Sequence, residues 1–553
     1  VIFLFLVFGV CFASSTLLLD DNLAIRYVIF HVAALLFLIF LPRLQLNRLD
    51  VWLWLLYLFS LTSALWSISA SQALFSAHRV LMFGLAFAFF KHLLELEEEK
   101  FMSRTLLVCF LLLLVVNSVW LVFSHVAGFD FISTSAHRNL LSSLLFLFIS
   151  ILLYLRQSFE PMLGRITLIL IAWALVLLAL LKTRSVYIAL LVFGALFVLG
   201  KIRWTKKRGF IVVALMLLSV IGLFGVLGFT DLVDLTSFEE RLFVWRKTLL
   251  MIADHPVWGV GVGNWVLNFT RYGVGGFDTL EIYGLRMTRP HNDLLWVLSE
   301  LGVVGALLLT GFFSQLGLRW WRSSGRRESL VLMGGMLAFS SVIVLSFPSE
   351  RVEHIVLFFL LAALLDHSTG TALPAWRVNL KIPALILVCV ALVLGVYRVK
   401  GEWYGNKLLQ AVNADEHEQV LELAEHAQSP FYRYIADDTP IASFQARAHY
   451  RLKNEPEFIH YSEQAYKEAP ANYEVMNNYG MSLNAQRRYE EARDVLLEAN
   501  TINPRFDGTI FNLAIVYYNL QKYDSAKVWI DRVHFKSEMT DHYSGVIHKK
   551  LGQ

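Results

Sequence analysis

Charge is scarce in this chain. Of its 553 residues only 17% are charged while 57% are hydrophobic, too apolar a balance for a soluble protein of this length. Cysteine is rarer still, with three residues, Cys11, Cys109 and Cys389, each inside an apolar run and without metal-type spacing. A disulfide framework and a zinc site are both excluded, and the three read as buried small hydrophobes. No D-x-D, H-E-x-x-H or P-loop sequence occurs, which argues against metal-bound nucleotide sugars, zinc hydrolysis and ATP. Nothing points to a nucleic acid partner.

Long apolar runs are what the chain has instead. About thirteen approach or exceed the roughly 20 residues that cross a hydrocarbon core. They centre on 1 to 19, 24 to 41, 51 to 68, 72 to 90, 105 to 124, 139 to 155, 165 to 182, 185 to 200, 210 to 230, 292 to 317, 329 to 347, 353 to 366 and 382 to 398. The first lacks a basic n-region and a cleavage pattern, so it reads as a spanning helix of a chain whose true start is missing. Basic residues cluster after even-numbered spans, in PRLQLNR, KHLLELEEEK, RQSFEPMLGR, GKIRWTKKRG and RWWRSSGRRE. By the positive-inside rule the N-terminus is cytoplasmic, and both the segment 231 to 290 and the tail after 399 lie on the opposite face.

From about residue 400 the composition turns charged and amphipathic, and the tail repeats itself at a shift of 34. Pro470 matches Pro504, Asn478 matches Asn512, Tyr489 matches Tyr523 and Ala492 matches Ala526; a weaker copy sets Ala465 on Ala499 and Ala446 on Gly480. This period, with small residues where helices meet and a proline between units, resembles the tetratricopeptide repeat. The expectation is an α-solenoid over 400 to 553 that holds a protein partner. A structural cap or an oligomer contact is the alternative.

The segment 231 to 290 is too long for a connector. Its SFEERLFVWRKTLLMIADHPVWGVGVGNW opens as an amphipathic helix and stops at His255 and Pro256. Gly259, Gly261 and Gly263 follow without a βαβ context, so they read as close-packing glycines rather than a dinucleotide fingerprint.

Arginines recur on the non-cytoplasmic side, against the positive-inside tendency: Arg79, Arg138, Arg184, Arg241, Arg246, Arg271, Arg286, Arg289 and Arg351. Guanidinium groups bind phosphate bidentately and stay charged, so several converging on one face would suit a diphosphate. Local pairing with Glu239, Glu240, Glu281 or Glu350 explains any single one equally well. For Arg184, backed by Lys182, anion binding is favoured. In RPHNDLLWVLSELG, Pro290 or Asn292 suits a helix start, and Asp293 and Glu300 share a face. His291 reads from periodicity as a capping or interface histidine, while a pKa near neutrality would let it deprotonate a hydroxyl.

The ordered set HRNLLSS, KTRSVYIAL, R-x-x-x-W with HPVWGVGVGNW, and RPHNDLLWVLSELGVVGALLL resembles the O-antigen ligase and polymerase superfamily over roughly residues 50 to 370. The resemblance implies an all-α, polytopic, GT-C-like protein of the bacterial inner membrane, here a transmembrane domain over 1 to 399 with a large periplasmic loop at 231 to 290. It implies transfer of a glycan from an undecaprenyl diphosphate carrier to an acceptor hydroxyl, with His291 activating that hydroxyl. It places diphosphate binding on Arg184 and Arg79, with Arg138 beside the matched Asn139, Arg241 at the loop entrance, and Arg289, Lys182 and Asn292 in the same motifs. Many relatives read T-x-S-R where this chain has Lys182, Thr183, Arg184 and Ser185, so Thr183 and Ser185 receive no role.

Fixed arginines would stabilise charge that grows on the diphosphate as the anomeric bond breaks, without metal or other cofactor and with inversion. O-antigen ligation to lipid A-core is the leading reaction, with repeat-unit polymerisation and protein O-glycosylation inside the same superfamily. Membrane lipids surround the site, and the acceptor is lipid A-core or another glycan or protein. A lipid-linked glycan transporter is the reading from another class; it should show related halves and charged residues at mid-span, and neither is visible in the sequence. A membrane scaffold leaves the motifs unexplained.

Overall fold

The computed structural model describes residues 2–20, 22–96, 99–127, 137–201, 235–276, 287–323, 329–370, 373–374, 379–435 and 438–551. Apart from one antiparallel pair, Tyr434–Ile435 with Thr439–Pro440, the regular structure of these residues is helical. Seven described helices are long and apolar enough to cross a membrane: Leu23–Phe40, Ala70–Glu95, Lys100–Val126, Arg138–Leu155, Pro161–Leu181, Asp293–Arg322 and Lys381–Asn413. Shorter apolar helices match the expected spans near 51, 185 and 329, and Val352–His367 matches the one at 353. The span expected at 210 to 230 lies outside the described residues. The protein is a multi-pass, all-α membrane protein with a helical repeat region behind it.

Ala70–Glu95, Arg138–Leu155 and Val352–His367 form the centre, buried on nearly all sides. The outer helices keep apolar faces exposed, with Val119, Ile169, Leu307 and Ile386 all more than half accessible. Helices that are apolar all round belong inside, and exposed apolar faces of this kind belong against lipid.

Two expectations need correcting. The first span is helical only over Ile2–Gly9, because the stretch after it is needed elsewhere. Asp20 accepts the Asn22 and Leu23 N–H groups at 3.0 Å and pairs with Arg351 at 3.1 Å, while the Ala13 carbonyl accepts from Arg26 at 2.8 Å. Cys389 is exposed on the outer face of Lys381–Asn413, whereas Cys11 and Cys109 are buried. Charge near the ends of the spans is held in pairs that neutralise it: Arg26 with Glu353 at 2.5 Å and Lys91 with Asp50 at 2.8 Å.

Lys381–Asn413 is a single 33-residue helix that passes the expected domain boundary at 399 unbroken and enters the repeat region. There it pairs with His417–Ala427, and three further hairpins follow: Ile441–Arg451 with Glu455–Glu468, Tyr473–Ala485 with Tyr489–Ile502, and Asp507–Asn519 with Tyr523–Ile530. The matched alanines Ala446, Ala465, Ala492, Ala499 and Ala526 are all buried where the helices touch. Each first helix ends in the same turn. Lys453, Arg487 and Gln521 take left-handed backbone, and the next N–H donates five residues back, Asn454 to His449, Arg488 to Leu483 and Lys522 to Tyr517, each at 2.9 Å. Asparagine side chains join neighbouring units, Asn512 to Asn477 and Asn519 to Asn484 at 2.8 Å.

Candidate active site

The glycine motif and the end of the histidine motif are two halves of one joint. The helix Leu235–Asp254 stops at His255, and the following backbone runs beside residues 299 to 304. Val260 donates to Ser299 O and Gly261 to Glu300 O, both at 2.9 Å, while Val303 donates to Pro256 O at 2.9 Å. A Cβ on Gly259 would overlap the Glu300 carbonyl, and one on Gly302 would overlap that of Val257. Both have positive φ, and Gly302 (φ 61°, ψ −164°) breaks the helix Asp293–Arg322 at this contact. The Glu300 carboxylate closes the joint by accepting from Gly263 N at 2.7 Å and Trp265 N at 3.1 Å. Asn264 fixes the other side by accepting from Ser69 N at 2.7 Å, next to the start of Ala70–Glu95.

His291 sits on the chain leading into this kinked helix. Asn292 is the N-cap, its side-chain oxygen accepting from Leu294 N and Leu295 N at 3.0 Å. His291 itself has φ 52°, a left-handed conformation that side chains other than glycine rarely adopt. Trp245 holds the preceding residue by donating from Nε1 to Pro290 O at 2.8 Å, and Phe347 packs against the imidazole with ring centres 4.9 Å apart. The R-x-x-x-W spacing now has a physical reading. Arg241 and Trp245 are one helical turn apart, so the same face that grips Pro290 sends a cation towards His291.

The electrostatics follow from that crowding. Burial, then Arg241, Arg289 and His137, push His291 down to about 3, so its ring is neutral at any working pH. Burial and nearby Arg184 lower Arg241 below the ordinary guanidinium value. Burial, then Arg138, Arg241 and Arg351, also lower His137. Near-neutral titration of His291, expected from the isolated side chain, is therefore corrected by its surroundings. The arrangement is a cluster of cations around neutral imidazoles, suited to an anion with several oxygens.

Residues 166–310, which contain Arg184, Arg241, the glycine motif, Arg289 and His291, match the family model described as O-antigen ligase. Over this stretch the chain is similar to the O-antigen ligase family. The match supports a membrane glycosyltransferase of the ligase or polymerase class. A comparison with curated proteins returned no match. Among solved structures, one titled "MamA MSR-1 C2" is 18% identical, with 28% of this chain and 88% of that chain covered and a TM-score of 0.23. Another, "MamA AMB-1 C2221", is 17% identical over 28% and 90%, with a TM-score of 0.24. The repeat architecture stands on this chain's own helix hairpins.

Within and around the matched stretch the sequence-derived residues fall into three groups. His291, Arg289 and Arg241 converge, Arg184 approaches through Arg241, and Arg79 joins from Ala70–Glu95 through a carboxylate shared with Arg289. Arg138 lies exposed beside His137, and Lys182 is exposed in a left-handed turn (φ 52°) closing Pro161–Leu181. Asn139 is engaged through its backbone, donating to His137 Nδ1 at 3.2 Å, and Asn292 through its capping oxygen. Thr183, given no role, bonds Ser142 at 2.8 Å and ties the Lys182 turn to Arg138–Leu155. Arg246 and Arg271 are exposed, and Arg286 lies outside the described residues.

Residues 349 to 354 are the hub of this site; the sequence offered Arg351 as one more outward arginine and Glu350 as a local pairing partner, and passed over Glu353 and His354. Glu350 takes Arg79 and Arg289; Arg351 takes Asp20; Glu353 takes Arg26; His354 meets Ser143 at 2.8 Å. Asp293 anchors the hub by accepting from Ser349 N at 3.0 Å. Burial alone would raise Asp20, but Arg351 and the two N–H donors outweigh it and hold the carboxyl at about 2. Among the described residues no group of three or more His, Cys, Asp or Glu is placed to hold a metal ion.

Proposed function

We propose that this protein transfers a glycan from an undecaprenyl diphosphate carrier to an acceptor hydroxyl on the periplasmic face of the bacterial inner membrane, attaching O-antigen to lipid A-core. The observation that carries the reading is His291, neutral and conformationally fixed, beside Arg241 and Arg289 in the stretch similar to the O-antigen ligase family. The arginines hold the diphosphate and stabilise the charge it gains as the anomeric C–O bond breaks. His291 takes the proton of the acceptor hydroxyl, which attacks opposite the leaving group and inverts the anomeric centre.

The lowered basicity of His291 fits this order of events. A bound diphosphate offsets Arg241 and Arg289, which raises the proton affinity of the imidazole when the acceptor is to be deprotonated. Metal is absent from this route. The repeat region, read as periplasmic, serves as a docking surface for a protein partner close to the site.

The test uses purified protein with lipid-linked glycan donor and lipid A-core acceptor. His291→Ala is expected to abolish transfer while leaving donor binding intact, and wild-type transfer by that variant would sink the assignment. Deletion in the cell is expected to remove long chains from lipid A while polymer stays on the carrier. Loss of polymer from the carrier itself would instead make the protein a polymerase.

A further inference from the structure

The Glu350 carboxylate stands between two arginines of the candidate donor site. Arg79 approaches Oε1 at 3.7 Å from Ala70–Glu95, and Arg289 contacts Oε2 from the loop before His291. The three side chains are 9%, 10% and 17% exposed for Glu350, Arg79 and Arg289, so water screens them little. Aromatic rings back both cations: Trp296 is 5.3 Å from Arg79, and Phe347 is 4.4 Å from Arg289. The imidazole of His291 packs on that same Phe347 ring.

Two shielded guanidinium groups directed at one point repel unless an anion lies between them. A carboxylate presents its two oxygens to such groups as the edge of a phosphoryl group does. Glu350 thus resembles, in charge and geometry, the ligand these arginines are read as binding. The backbone that carries Glu350 is braced. Pro348–Glu350 is a single 3-10 turn, held by Glu350 N to Phe347 O at 3.3 Å and Arg351 N to Pro348 O at 3.1 Å. Within it Ser349 N donates to Asp293 at 3.0 Å, and beyond it Arg351 and Glu353 are anchored to Asp20 and Arg26, so an exchange at the two arginines is a rotation of the Glu350 side chain on a fixed backbone.

We propose that Glu350 is an internal occupant of a phosphoryl subsite. Its carboxylate holds Arg79 and Arg289 in place in the empty site, yields to a phosphoryl group of the incoming donor, and returns as the lipid diphosphate leaves. Glu350 is then a positioning residue that sets donor affinity and speeds product release. The proposal rests on reading the site as one for a lipid diphosphate.

Inorganic pyrophosphate is the probe, titrated calorimetrically into the purified full-length protein. Removing the competing charge-assisted contact in Glu350→Gln is expected to tighten pyrophosphate binding about tenfold, whereas a purely structural role would weaken it. Equal or weaker binding by a folded Glu350→Gln overturns the proposal. If that variant does not fold, Glu350→Asp keeps the charge but withdraws the oxygens by one methylene, and is expected to show a smaller gain; no gain overturns it. Transfer assays keep the two readings apart. Tighter pyrophosphate binding in Glu350→Gln with no glycan transfer by the native protein removes the reaction and leaves the role of Glu350 standing. Transfer that depends on His291, with no affinity gain in Glu350→Gln, does the reverse.

Discussion

His291 carries both a left-handed backbone and an imidazole held at about 3 by burial and neighbouring cations. Strain of the first kind persists only where surroundings over-determine it, and Trp245, Phe347 and the Asn292 cap do so here. The sign of the second effect is definite. Because the folded state disfavours the imidazolium, it binds fewer protons than the unfolded chain between about pH 3 and the ordinary histidine value near 6.5. His291 therefore contributes stability above that upper value, and the contribution is lost as pH falls through the window. In catalysis the same shift predicts that kcat/KM shows no acid limb from His291 between about pH 5 and 7, while kcat, which reports the donor complex, shows one displaced upward. A pH–rate series on the native protein checks this; coincident limbs would mean that bound diphosphate does not tune the imidazole. At this scale the sequence was informative wherever charge stood out against an apolar background, as for Arg79, Arg184 and His291. Glu350 was legible only as a generic pairing partner, and Glu353 was passed over because SFPSERVEH reads as an ordinary polar turn. Their partners lie 271 and 327 positions away for Arg79 and Arg26, beyond any spacing rule.

Among the elements, the joint between the two motifs is the part most nearly written in the residues. Glycines in HPVWGVGVGNW and SELG announced close packing, and the structure shows what they pack against: Gly259 and Gly302 against the other motif's backbone, Gly261 against Ser67 and Gly263 against Ser76. Gly302→Ala would place a side chain in a conformation nearly confined to glycine and against the Val257 carbonyl, so it is expected to destabilise by roughly 2 to 4 kcal/mol. Thermal unfolding in detergent would reveal it; an unchanged melting temperature would show that the joint relaxes freely. The repeat turns were harder to read. Lys453, Arg487 and Gln521 occupy the left-handed position where glycine is the usual signal, so none of the three turns is marked in the sequence although their hydrogen bonds are in register.

For the whole molecule, the decisive contact joins the repeat region to the loop that leads to His291. Thr270 donates to Ala471 O at 2.8 Å, Val274 N donates to Ile502 O at 2.9 Å, and Val274 packs with Tyr473, Met476, Ala499 and Ile502. Phe243 and Met287 extend the same cluster towards Arg289. Ile502→Asp would bury an unpaired charge there and is expected to undock the repeats and reduce transfer at least tenfold, with donor affinity little changed. Limited proteolysis between residues 270 and 276, compared with native protein, reports the undocking; retained protection with full activity would mean the contact is incidental. Span order and repeat period were legible because each is a local periodicity. This docking was not, since it joins segments more than two hundred residues apart through apolar contacts that any surface could offer. The long helix Lys381–Asn413 adds a consequence of its own. At about 1.5 Å per residue it is a rod of roughly 50 Å, and it feeds without a break from lipid into the first repeat hairpin. The height and tilt at which the repeats meet residues 270 to 274 are then fixed by how the rod adjusts to hydrophobic mismatch. Acyl-chain length becomes a variable of the reaction: reconstitution into progressively thicker bilayers is expected to slow transfer as the seat at Val274 opens, and a rate indifferent to thickness would show that the rod bends.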